Sequence, residues 1–139
     1  MSKNTTSKKR VASKEVTVMV QLYRNLSKLF VANDLTACMA ILNNGDGRHS
    51  LAREFAIAVY GELPQEYEDG WNCYPNTGLE KSNPLLHAVI GKSKLISDNV
   101  KLVRTACRDK ARGSLTVNKE KRILEDIQDV INELTEFTA

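Results

Sequence analysis

The chain has 139 residues, of which 42% are hydrophobic and 27% are charged, and its formal net charge at pH 7 is +3. This length predicts one domain with a single core, and three cysteines without a Cys-x-x-Cys pair argue against both a disulfide framework and a structural zinc site. The polar N-terminus and the lack of a long apolar run argue against a signal peptide and a membrane span, so the sequence predicts a cytoplasmic protein without membrane contact.

The N-terminal segment, residues 1–13, carries four lysine or arginine side chains and no acidic one. Three of these cations, Lys8, Lys9 and Arg10, are consecutive. Because little in this segment can be buried, it is predicted to be a disordered basic arm that precedes a single helical domain over residues 14–139. Such an arm can wrap around an anionic partner, or it can merely improve solubility.

Three helices are predicted in the first half of the domain. Apolar residues at three- and four-residue steps indicate a helix over residues 14–32, with Ser13 as its N-cap. A short second helix is predicted over 34–42, because the Gly- and Asn-rich run that follows favours a helix end. The third helix, over 51–60, is apolar almost all round and is therefore expected to be central.

Residues 61–82 interrupt the helical pattern with glycines and prolines and are predicted to form one long irregular loop. The loop contains three aromatic residues and a group of acidic ones, namely Tyr67, Trp71, Tyr74, Glu66, Glu68 and Asp69. The aromatic side chains are expected either to fix the loop to the core or to form a platform for a protein partner, since Trp and Tyr dominate binding hot spots. The acidic side chains are expected to be solvated, with phosphate mimicry as the alternative.

A long helix is predicted to begin at Asn83-Pro84, where a cap residue precedes proline, and to extend to about residue 111. Gly91 and Ser93 leave open whether this segment is one helix or two. At about 100° per residue, one side of it carries a row of cations with almost no acid to balance them, which we call the basic face. The basic face consists of Lys94, Lys101, Arg104, Arg108 and Arg112.

Three interpretations of the basic face are open. It can be an ordinary solvated surface, which the preference of Lys and Arg for helix C-termini explains in part. It can bind the phosphates of DNA or RNA, with the N-terminal arm adding contacts that do not depend on base sequence. It can also dock on an acidic surface of another protein.

The last helix is predicted over residues 118–137. Leu124, Ile127, Ile131 and Leu134 fall at the a and d positions of two heptads. Two heptads are too few for a coiled coil, so these side chains are expected to pack in the core, with an exposed homodimer seam as the alternative.

No motif indicates an enzyme, a metal site or a cofactor. The chain has no nucleophile elbow, no Walker loop and no dinucleotide-binding fingerprint. Asp46 and His49 lie in a Gly-rich turn that lacks EF-hand spacing, and His87 stands alone on the long helix.

The sequence thus predicts an all-α fold, an irregular bundle of five to six helices. The predicted function is that of a non-enzymatic nucleic-acid-binding accessory protein, of the kind that viruses and plasmids encode, which would use the basic face together with Lys8, Lys9 and Arg10. One alternative is an interaction or inhibitor protein that docks on an acidic or nucleic-acid-binding partner through residues 61–82. The other is a self-assembling structural subunit.

Overall fold

The computed structural model describes residues 13–43, 51–61 and 83–138, and the regular elements of these three stretches are all helices. The predicted all-α fold is therefore confirmed. The predicted arm up to residue 12 and the predicted loop over 62–82 lie outside the described residues. The helices are α1 (Lys14–Val31), α2 (Leu35–Asn43), α3 (Leu51–Val59), α4 (Pro84–Ala111) and α5 (Val117–Thr135).

Two predicted helix starts are confirmed by their caps. The Ser13 hydroxyl accepts a hydrogen bond from the Val16 amide at the start of α1. The Asn83 side chain does the same for the Leu86 amide, with Pro84 at the first helical position of α4. Each cap pairs one of the amides that a helix start leaves unbonded, which is why these two boundaries can be read from local sequence.

The last helix begins at Val117, one residue before the predicted start at Asn118. Its N-cap is Thr116, whose hydroxyl accepts from the Lys119 amide. Thr116 and Asn118 are both good caps by type, and the extended backbone at Thr116 decides between them.

The sequence left open whether residues 84–111 form one helix or two. In the structure they form one continuous helix of 28 residues, α4. Ser93 is fully buried, and its hydroxyl donates to the carbonyl of Ala52 in α3. This hydrogen bond gives the buried Ser93 hydroxyl a partner, so the residue is accommodated inside the continuous helix. Gly113 then ends the helical run with a φ of 73°, a backbone conformation that favours glycine.

The directions of the long helices follow from contacts at their ends. Lys110, in the last turn of α4, donates to the carbonyl of Phe30 near the end of α1. The Ser13 amide, at the start of α1, donates to the carbonyl of Phe137 just after α5, at 2.9 Å. Lys92, in the first half of α4, pairs with Glu133 near the end of α5. Helices α1 and α4 therefore run in one direction and α5 in the other.

Helix α3 is central, as its apolar composition predicts. Five of its nine residues are buried, and the helix packs on both α4 and α1. The ring of Phe55 meets the ring of Phe137 edge to face, with centroids 5.3 Å apart. This geometry suits the ring quadrupoles and joins α3 to the far end of α5.

The heptad positions of α5 belong to the core of this chain. Ile127, Ile131 and Leu134 are buried, and Leu124 is partly buried against the same cluster. Core packing was the expected role. A homodimer through this helix stays a prediction, and it would need side chains other than these three.

Candidate nucleic-acid interface

Three cations of the basic face stay on the surface. Lys101, Arg108 and Arg112 are exposed, and their side chains make no ion pair within residues 13–43, 51–61 and 83–138. Lys101 and Arg112 are eleven positions apart on α4 and its cap, which corresponds to about 16 Å along the axis at 1.5 Å per residue. We call these three side chains the exposed ridge.

Lys94 belongs to the same side of α4 but has a neighbour of opposite charge. Its ammonium lies 3.2 Å from a carboxylate oxygen of Asp98, one turn further along the helix. Both side chains are about half-exposed. An exposed pair of this kind is weak, so a phosphate can compete for Lys94.

Arg104 has a structural contact that the sequence did not reveal. Its Nε donates to Asn43 Oδ1 at 3.1 Å, and a terminal nitrogen donates to the Leu42 carbonyl at 3.3 Å. Leu42 and Asn43 form the end of α2, where backbone carbonyls have no helical partner. The half-buried guanidinium therefore satisfies the C-terminus of α2. The only signal in the sequence was the place of Arg104 at the edge of the basic face.

Two further cations of α4, outside the basic face, are paired with carboxylates of α5. Lys92 contacts Glu133 and lies 3.7 Å from Glu136. Lys110 lies 3.3 Å from Glu120, and its ammonium is also 4.4 Å from the centre of the Phe30 ring. The acids of α5 thus neutralise the cations that point between the helices, and leave the exposed ridge uncompensated.

The two cysteines in the described part of the chain are free and buried. Cys38 lies on α2, where its thiol donates to the Leu26 carbonyl at 3.9 Å, and Cys107 lies on α4. Burial raises the pKa of Cys38 to about 12 and also raises the pKa of Cys107. Because only the thiolate is a good nucleophile, neither group is suited to covalent catalysis.

Among the described residues, neither a metal-binding cluster nor a helix able to span a membrane is found. Among residues 13–43, 51–61 and 83–138, no three His, Cys, Asp or Glu side chains are grouped so as to hold a metal ion. Within the same ranges, no helix has the length and apolar character needed to cross a bilayer.

Several predicted site residues lie outside the described residues. They include the cations of the arm, the aromatic and acidic residues of the predicted loop and two residues of the Gly-rich turn, namely Lys8, Lys9, Arg10, Tyr67, Trp71, Tyr74, Glu66, Glu68, Asp69, Asp46 and His49. Their proposed roles stay predictions from the sequence.

No protein-family model matches this chain, and neither a curated protein nor a solved structure is significantly similar to it.

Proposed function

We propose that the protein is a non-enzymatic nucleic-acid-binding accessory protein, whose exposed ridge contacts phosphates together with the basic N-terminal arm. The observation that carries this proposal is the exposed ridge itself. Lys101, Arg108 and Arg112 lie on one side of one helix with no carboxylate paired to them in the described part of the chain.

The physical basis is the release of counterions from the nucleic acid. A duplex presents one phosphate charge per about 1.7 Å of its axis, so a row of cations about 16 Å long can neutralise several at once. If three cations of the ridge and three of the arm (Lys8, Lys9 and Arg10) each contact one phosphate of duplex DNA, a plot of the logarithm of the binding constant against the logarithm of the salt concentration is expected to have a slope of about −5. Arg104 is not counted among them, since α2 already occupies its guanidinium.

The experiment reverses two charges of the ridge. Binding of the full chain to fluorescent DNA and RNA, duplex and single-stranded, is followed by anisotropy over a series of salt concentrations. K101E/R108E is expected to lower the affinity about tenfold or more at low salt and to make the salt slope shallower, since two phosphate contacts are lost.

The matched control is R24E/K28E, which changes the net charge by the same amount on α1. Arg24 and Lys28 are exposed on one helix, one turn apart, whereas Lys101 and Arg108 are two turns apart. The control is expected to bind with nearly wild-type affinity. Equal losses in both variants would show that net charge alone governs binding and would contradict a role for the ridge.

A further inference from the structure

A groove runs between α4 and α5 on the outer surface of the bundle. Its floor is formed by Leu95 and Leu102, which are 37% and 43% exposed although both are large and apolar. Asp126 and Asp129 of α5 line it on the opposite side, with Asn99 between the two helices. We call this the α4–α5 groove. It continues along α5 to Glu133 and Glu136, where Lys92 of α4 also lines it and pairs with both carboxylates. The carboxylates of the groove that have no such pair among the described residues are therefore Asp126 and Asp129.

The groove contains polar groups that lack partners. Asn99 is only 5% exposed, and its amide oxygen accepts no hydrogen bond from any described residue. Asp126 and Asp129 form no ion pair within the described ranges. A buried acceptor without a donor is unfavourable. Rotation of the Asn99 amide by 180° would exchange the positions of its oxygen and its NH₂ group. An occupant rich in N–H donors and positive charge would therefore suit the groove.

The chain itself supplies such a segment beside the groove. Residues 1–12 contain four cations and no acid. The Ser13 amide is hydrogen-bonded to the carbonyl of Phe137, the residue that follows Glu136, so the segment starts at the end of α5 where the α4–α5 groove ends.

Chain length and position agree with this assignment. Asp129 lies seven residues before Glu136, or about 10 Å along the helix, and Asp126 lies about 15 Å from it. Extended chain covers about 3.3 Å per residue, so Arg10 can be about 10 Å from Ser13 and Lys8 about 17 Å. The three consecutive cations thus reach the two unpaired aspartates.

We propose that residues 1–12 bind in the α4–α5 groove of the same chain, with Lys8, Lys9 and Arg10 facing Asp126 and Asp129. The docking does not require nucleic acid. If the proposed function holds, the same three cations are shared between the groove and phosphates, so the groove lowers the affinity of the free protein for nucleic acid.

The first test compares the full chain with K8Q/K9Q/R10Q by ¹⁵N-resolved NMR, without nucleic acid. Loss of docking is expected to shift the amide signals of Leu95, Leu102, Asp126 and Asp129, to the same extent at all protein concentrations. Shifts confined to residues near Ser13 and Phe137 would overturn the proposal. Shifts that grow with protein concentration would also overturn it, because the occupant would then be the arm of a second copy.

The second test measures how fast trypsin removes the arm from the full chain, by mass spectrometry. D129N is expected to speed cleavage after Lys8, Lys9 and Arg10 about threefold, since one ion pair is lost. E125Q removes one charge from an exposed position of α5 that does not line the groove, and is expected to leave the rate unchanged. Equal rates in D129N and the wild type would contradict docking. A failure of nucleic-acid binding would leave both tests unaffected.

Discussion

Arg104 and Arg108 are one turn apart on α4, yet only Arg104 is held by another helix. Its guanidinium bonds the end of α2, whereas Arg108 is exposed. Helical periodicity places both residues on one side of α4, because it depends only on the spacing along the chain. Tertiary structure decides that α2 packs beside Arg104 and not beside Arg108. The role of Arg104 could therefore not be predicted from the sequence.

This difference predicts unequal effects on stability. Arg104→Ala is expected to lower the free energy of unfolding by about 1–3 kcal/mol, because it leaves the Leu42 carbonyl and the Asn43 side chain without a donor. Arg108→Ala should change it by less than about 0.5 kcal/mol, as for most exposed positions. Urea unfolding of the two variants gives both values, and equal effects would show that the contacts with α2 contribute nothing.

Tyr23 is fully buried, and its hydroxyl has no hydrogen-bond partner in the described part of the chain. Burial raises the pKa of Tyr23 above its ordinary value. The folded state therefore disfavours the phenolate. The stability that depends on the protonated form is complete below about pH 10, the unfolded pKa, and is lost as the pH rises above it.

Tyr23→Phe is accordingly expected to leave the free energy of unfolding at pH 7 unchanged or up to about 1 kcal/mol higher. It should also make the loss of stability above about pH 10 less steep. Thermal unfolding between pH 7 and 11 measures both effects. Tyr60→Phe is the control, because the Tyr60 hydroxyl accepts a hydrogen bond from Asn83 at 3.0 Å. The control should be less stable than the wild type, and a large loss in Tyr23→Phe would point to a partner for its hydroxyl.

At the scale of elements, Lys110 joins the ends of α1 and α4 to the start of α5. It donates to the Phe30 carbonyl, lies over the Phe30 ring and pairs with Glu120. Its side chain is only 14% exposed, so these charged contacts are shielded from solvent. One ammonium thus links the C-terminus of α1, where the helix dipole favours a cation, with a carboxylate in the first turn of α5.

Lys110→Met keeps most of the side chain's volume but removes the charge. We expect it to lower the free energy of unfolding by about 1–3 kcal/mol, because the Phe30 carbonyl and Glu120 lose their shared donor. Lys101→Met is the matched control on the exposed ridge and should have little effect on stability. Chemical unfolding monitored by circular dichroism distinguishes the two, and a stable Lys110→Met variant would show that packing alone holds these ends together.

The elements themselves were largely predictable because their limits depend on nearby residues. Ser13 and Asn83 cap helices as their sequence context indicates. The continuity of α4 was not predictable, since Gly91 and Ser93 are compatible with either outcome and the packing partner of Ser93, Ala52 of α3, is 41 residues away in the chain. The α4–α5 groove could not be predicted from the sequence either. Leu95 and Leu102 belong to the apolar stripe of α4 by spacing, and only the position of α5 leaves them partly exposed.

At the scale of the whole molecule, two neighbouring helices carry net charges of opposite sign. Cations outnumber acids on α4, which carries the exposed ridge, whereas acids outnumber cations on α5 although Lys119, Lys121 and Arg122 lie in its first half. Acids of α5 pair with Lys92 and Lys110 or line the groove. The uneven charge was visible in the sequence. The division into paired and unpaired cations was not, because it depends on which side of α4 meets α5.

The burial of the α5 heptad positions predicts that the protein does not dimerise through them. Light scattering at several protein concentrations is expected to give the mass of a single chain, because Ile127, Ile131 and Leu134 are already covered by the chain's own core. Leu124→Asp, at the partly buried position, should leave that mass unchanged. If the mass doubles with concentration in the wild type but not in Leu124→Asp, the protein forms a homodimer through α5 and this prediction is wrong.

The buried thiols of Cys38 and Cys107 can be used to measure how often α2 separates from α4. Both thiols lie where α2 meets α4, so a thiol-specific reagent can react with them only after α2 has moved away from α4. The third cysteine, Cys73, lies outside the described residues and is replaced by serine so that only the buried pair can react. The rate of labelling would then measure how often this part of the bundle opens. Opening should be more frequent in Arg104→Ala, which releases the end of α2, and the two native cysteines detect it without any cysteine being introduced.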